Sequence, residues 1–276
     1  MDERFIAAAR AQECGDHAAA LRILRAIEAD ERAASPGLAP PSFGLLFQWG
    51  QLAKEHAPAY RTLAALRDEH VARLKAGDIH SGQPDFAGHP RSRFPDIASL
   101  NHALGDSRST YEVFVYMAGA LPDEARREAS SRAIEPIVEQ GDFELAARYL
   151  PEPARWIQHL NEEAREGLAA LQPVFSPQWS EQPLPARPGR AAMQLSATLS
   201  NYVTDVRHRA AILAGLGRHA EAAQARADGL AGIESDQLRV LAALDLAEPG
   251  TISRRMVDWE MRVMPRDAAT PRSNPQ

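Results

Sequence analysis

The chain has 276 residues, 45% of them hydrophobic, and a formal net charge of −6, so it can bury a core unaided as one large domain or two small ones. Its single cysteine, Cys14, excludes an intrachain disulfide framework and a cysteine-based zinc site, and no run of about 18 apolar residues reads as a membrane span. The acidic balance argues against a general nucleic-acid binder, whose footprint is a basic patch.

The opening Met1-Asp2-Glu3-Arg4 carries no apolar stretch of signal length, so no secretory leader is expected and a cytoplasmic location is. Only two of the 31 basic residues are lysines, Lys54 and Lys75. A GC-rich bacterial genome accounts for that bias; the functional alternative is arginine kept for bidentate contacts to carboxylate or phosphate.

In chain order, residues 3–14 read as a helix that Gly15-Asp16 breaks, and 17–33 follow with Leu21, Leu24 and Ile27 at helical spacing. Ser35-Pro36-Gly37 to Pro41 is a loop, and Ser42 is a candidate N-cap. Residues 43–56 form an aromatic helix whose expected apolar stripe is Phe43, Leu46, Phe47 and Gly50, widened by Trp49 and Leu52. Residues 58–76 are amphipathic through Leu63, Leu66, Val71 and Leu74. Residues 77–95, rich in glycine and proline, read as a long loop of the kind that is sometimes functional. Helices are expected at 96–104, 107–120 and 122–139, the last interrupted near Pro136. Further helices follow at 143–150 and 154–171.

Residues 173–189 carry five prolines and read as a linker. It separates an N-terminal part, 1–172, from a C-terminal part, 190–264. The latter holds a long helix at 190–216 and shorter ones at 219–233, 236–247 and 252–263. The tail, 265–276, reads as disordered. With no period-two alternation bounded by hairpin turns, the fold class is all-α.

Four breaks look alike: Gly15-Asp16-His17, Gly105-Asp106-Ser107, Gly141-Asp142-Phe143 and Gly217-Arg218-His219. Such tight connections make the flanking helices antiparallel neighbours. Five residues after each glycine stands Ala20, Thr110, Ala146 or Ala222, small enough for close approach. The stretch Ala210 to Ala223 resembles the inner turn of a tetratricopeptide repeat, with Ala210 and Ala222 at the small-residue positions. Ala8, Gly15, Asp16 and Ala20 match in the same way. The family's tryptophan and tyrosine positions fall instead on Arg4 and Ala11 in the first unit and on Val206 and Leu213 in the last. The block Phe47 to Glu55 is similar to a segment of uncharacterised bacterial proteins of this helical type. The resemblance implies antiparallel helix pairs stacked as a right-handed superhelix that binds protein or peptide on its concave side.

Under that resemblance the first helices line the groove. Asn201, Asp205 and His208, with Arg207 beside them, are then the partner-binding candidates, and Tyr111 could serve similarly. No Gly-x-Ser-x-Gly elbow, phosphate-binding glycine loop or His-Glu-x-x-His spacing occurs, so no catalytic residue, metal or cofactor is expected. Cys14, at a helix C-terminus where the dipole disfavours a thiolate, reads as a packing residue. The favoured function is a protein- or peptide-binding scaffold, or a dedicated immunity or regulatory partner. The competing reading is a helical enzyme whose site converges His80, His89 or His102 on an acid such as Asp78 or Asp85 within 78–102. A nucleic-acid binder ranks third.

Overall fold

A computed structural model describes residues 3–34, 41–82, 90–176 and 187–263. Among them every regular element is helical, apart from one antiparallel bridge between His80 and Ser92. No described helix is long and apolar enough to cross a membrane. The chain divides into two compact units, Met1–Tyr149 and Leu150–Gln276.

The first unit contains α1 (Glu3–Glu13), α2 (His17–Ala34), α3 (Phe43–Glu55), α4 (Ala57–Lys75), α5 (Phe94–Leu104) and α6 (Ser107–Ala120). It continues with α7 (Pro122–Glu128), a π-helical turn over Ala129–Ala133, α8 (Ile134–Glu139) and α9 (Phe143–Ala147). The expected interruption of the 122–139 helix takes this form. Pro136 has no N–H to give to the turn before it and its ring crowds the carbonyl four residues back, so the ladder widens just upstream.

The recurrent breaks have a common geometry. Gly15, Gly105, Gly141 and Gly217 sit at φ 77°, 69°, 73° and 77°, a left-handed conformation that costs glycine nothing and closes the preceding helix. The next residue's N–H reaches back five residues in each case: Asp16 to the Ala11 carbonyl, Asp106 to Asn101, Asp142 to Ile137 and Arg218 to Leu213. In the first three the aspartate then caps the following helix, accepting from the N–H of Ala19, Ser109 or Leu145 at 2.9–3.1 Å. The small residues expected at the crossings, Ala20, Thr110, Ala146 and Ala222, are all buried.

Each pair also packs on the next within this unit. α1 lies against α2 and α3, α3 against α4 and α5, and α5 against α6 and the π turn. Leu24, Ile27, Leu45, Trp49, Leu52 and Leu63 form the core, each worth about 1.5–3 kcal/mol by burial. The close approach of α3 to α5 depends on Gly50, where a Cβ would stand 3.1 Å from the Ala103 carbonyl oxygen.

The second unit contains α10 (Ala154–Leu171), a 3-10 turn over Gln172–Phe175, α11 (Arg190–Gly215), α12 (His219–Ala231), α13 (Asp236–Ala247) and α14 (Thr251–Val263). It is built around α11, which packs on α10, α12, α13 and α14. Leu195, Leu199, Val203 and Val206 of α11 meet Leu160, Leu238, Leu241 and Trp259 in its core. The packing division at 149–150 lies upstream of the expected linker at 173–189, because α10 spends its apolar face on α11. Residues 177–186 of that segment, and the tail expected to be disordered, lie outside the described residues.

Candidate functional site

Three places gather side chains that could act on something else. The first is the 78–96 segment of the first unit, where the long loop was expected. Its two arms pair through the His80–Ser92 bridge, with Ser81 N–H bonded to the Arg91 carbonyl and Arg93 N–H to the Ile79 carbonyl. Arg93 is wholly buried. Its guanidinium donates to the Asp78 carbonyl at 2.8 Å, to the Asp78 carboxylate at 2.9 Å and to the His80 carbonyl. It also faces His70 Nδ1 of α4 at 3.4 Å. Since arginine can only donate, Nδ1 accepts and the ring proton sits on Nε2. Burial, reinforced by the Arg93 charge, lowers the His70 pKa to about 4, so the ring is neutral at physiological pH.

Asp96, also wholly buried, accepts from Ser81 Oγ and from Arg91 at 2.8 Å, one residue on each arm. Burial raises its pKa against the opposing pull of Ser81 and the arginines. Burial likewise raises Glu128, which is bonded to Ser92 and adjoined by Glu124 and Asp96. Apart from His70 Nε2, a buried atom with no hydrogen-bond partner among the described residues, these groups pair with one another, and Arg93 and Asp96 between them hold both arms of the segment down.

The histidines expected to converge there are only partly described. His80 and His102 are exposed, and His89 and Asp85 lie outside the described residues. Among the described residues no three or more His, Cys, Asp or Glu side chains could hold a metal ion.

The second place is the set on α11. Asn201 is exposed, Arg207 and His208 are half-buried, and Asp205 is buried with its carboxylate taking the Trp156 indole N–H at 2.9 Å. Arg207 donates to Thr204 Oγ1 at 3.3 Å. The four therefore do not stand equally on one open surface, because the core face of α11 (Tyr202, Val203, Val206) turns Asp205 inward. Tyr111, in the first unit, is half-buried and donates to the Asp142 carboxylate at 3.0 Å, bridging α6 to the cap of α9. Cys14 is exposed rather than packed, since it stands beyond the last buried position of its helix, Ala8.

The third place was read differently from sequence. On α3 the buried residues are Leu45, Trp49, Gly50, Leu52 and Ala53. Phe43 and Phe47 stand two residues on either side of Leu45, which puts them about 160° away around a helix. They are 85% and 59% exposed, with ring centroids 6.4 Å apart and planes inclined by 25°. Ile6 of the neighbouring α1 is also exposed. α1 and α3 are held in register by Gln48, which donates to the Phe5 carbonyl at 3.1 Å, and by the Phe5 ring, 3.8 Å from where a Gly44 Cβ would be. The missed signal was phase: taking Trp49 and Leu52 as the core stripe would have turned both phenylalanines outward.

Compared with family models, with curated proteins and with solved structures, the chain matches none.

Proposed function

We propose that this chain is a protein-binding helical-repeat scaffold, its helix pairs stacked in the manner of a tetratricopeptide superhelix, and that it takes a peptide segment of a partner protein through apolar anchors. Two features support the repeat reading: the common glycine-closed, aspartate-capped connections and the succession of first helices, α1 on α3 and α3 on α5. The exposure of Phe43 and Phe47 carries the binding reading. Stacked aromatic rings left in water are what a peptide anchor covers, and aromatic anchors dominate interface energetics. Covering each ring would contribute about 1.5–3 kcal/mol, so the two supply about 3–6 kcal/mol toward the roughly 8 kcal/mol of micromolar recognition, and the peptide's other contacts supply the rest and the cost of association.

The test is selection of peptides from a random display library on the immobilised full chain, repeated with the Phe43→Ser/Phe47→Ser double variant. Both rings are exposed, so the variant should melt within about 1 °C of the parent. Peptides with apolar anchors should be enriched on the parent and lost on the variant. Enrichment of the same peptides on both, or of none on the parent, overturns the reading.

A further inference from the structure

A different face of the first unit carries three arginines that meet no acid among the described residues. Arg22 and Arg25 of α2 and Arg61 of α4 are exposed, and among the described residues none of the three has a hydrogen-bond or ion-pair partner. Contacts at both ends fix how these two helices lie. The His17 ring is 5.7 Å from the His56 ring, and His17 Nε2 is 3.6 Å from Glu55. At the far end Arg32 meets Glu69 at 2.9 Å. α2 and α4 therefore run side by side in the same direction, His17 level with the start of α4 and Arg32 level with Glu69. Arg22 and Arg25 then fall beside the first half of α4, where Arg61 stands. On each helix these arginines lie away from the core residues, Leu21, Leu24 and Ile27 on α2 and Leu63 and Leu66 on α4.

The acids of the two helices do not neutralise this cluster, because every one of them is engaged elsewhere. Glu28 pairs with Arg32 at 3.2 Å, Asp30 with Arg4 at 2.5 Å, and Glu31 accepts the Ser42 N–H at 2.9 Å. On α4, Asp68 pairs with Arg67 at 2.5 Å and Glu69 with Arg32 and Arg73. Three guanidinium groups without an acid partner among the described residues thus lie along two side-by-side helices of a chain whose net charge is −6. Like charges so grouped repel, and each presents a planar fork that matches a carboxylate in two bonds at once. Tyr60, 41% exposed, adds an apolar edge beside Arg61.

We infer that Arg22, Arg25 and Arg61 form a docking surface for an acidic segment of another protein, one that offers several carboxylates in succession. A nucleic acid is the poorer fit. Three charges neutralise too few phosphates to overcome repulsion from an acidic chain, and among the described residues Tyr60 is the exposed aromatic next to Arg61 in sequence. This surface is borne by the second helices of the pairs, whereas Phe43 and Phe47 sit on a first helix, so either can fail without the other.

The experiment uses the full-length chain and a fluorescein-labelled peptide containing six consecutive glutamates, read by fluorescence anisotropy at about 20 mM salt, with a single-stranded oligonucleotide of equal charge as the competing probe. The peptide should bind the parent. Affinity should fall at least about tenfold in Arg22→Glu/Arg25→Glu/Arg61→Glu and by a similar factor on raising salt to about 150 mM. It should be unchanged in Phe43→Ser/Phe47→Ser. If the charge-reversed chain does not fold, Arg22→Gln/Arg25→Gln/Arg61→Gln replaces it, with the same tenfold criterion. Equal peptide binding by parent and arginine variant, no binding by the parent, or an oligonucleotide that binds as tightly as the peptide each overturns the inference.

Discussion

Replacing Arg93 by methionine tests whether the 78–96 segment is held by its buried guanidinium. The substitution keeps the length of the side chain and removes every donor. The Asp78 and His80 carbonyls each lose a bond from a charged group, worth roughly 1.5–3 kcal/mol apiece. The Asp78 carboxylate is 48% exposed and can rehydrate, so its loss of partner adds at most about 1 kcal/mol. Methionine recovers part of the cost of burying a charge, which offsets some of this. A net loss of about 3 kcal/mol follows, and for a unit of this size that lowers the melting temperature by roughly 6–12 °C. Differential scanning calorimetry of the full chain would resolve it, with Asp78→Asn in parallel. Asp78→Asn should cost under about 1 kcal/mol, because it spares both carbonyl bonds. If Arg93→Met shifts the transition by less than about 1 °C, or Asp78→Asn costs as much, the segment is not held in this way.

His70 gives a pH signature whose sign is fixed by its depressed pKa. Folded, it titrates near 4 against an ordinary 6.5, so the unfolded chain binds the extra proton between those values and stability is lost as pH falls through that window. About 3 kcal/mol is at stake. His70→Gln, which keeps an acceptor for Arg93, should flatten the decline in urea-unfolding stability between pH 6.5 and 4; an unchanged slope would refute the assignment. Asp96 and Glu128, both raised by burial, act the other way: their contribution is present at low pH and lost as pH rises through their folded values, so Asp96→Asn should steepen the acid decline. In the second unit, Gly229→Ala places a methyl 2.8 Å from both Val206 methyl carbons and should cost about 1–3 kcal/mol. Adding Val206→Ala should leave the double variant more stable than the sum of the two single losses predicts, as measured by chemical denaturation.

Most helix limits were legible because local chemistry sets them. Gly105 and Asp106 end one helix and begin the next with their own backbone and side-chain bonds, information carried in adjacent residues. The buried polar groups were not legible in this way. Arg93 fell in the expected loop and Asp96 at the first position of the helix expected at 96–104, and only pairing of distant chain segments brings Asp78, His70 and Ser81 to them. The expectation for α11 failed to anticipate Trp156, whose indole claims Asp205 from 49 residues away. Spacing on one helix cannot reveal which of its polar residues a second helix will cover.

The exposure of Phe43 and Phe47 is imposed by the rest of α3 rather than left over from loose packing. Ser42 caps the helix by accepting from the Leu45 N–H and donates its own N–H to the Glu31 carboxylate, which fixes where the helix begins. Trp49 gives its indole N–H to the Ala59 carbonyl at 3.3 Å, which fixes its rotation against α4. Gly50 permits the approach to Ala103 and no other residue of the helix could stand there without pushing α5 away. Turning α3 to bury Phe43 would expose Leu45 and Trp49, break the indole bond and drive a side chain into the Ala103 backbone. Rotation would therefore give up more apolar burial than it gained, plus a buried hydrogen bond of roughly 1 kcal/mol. The phenylalanines are held in water by the same contacts that stabilise the unit, and no described residue buries them.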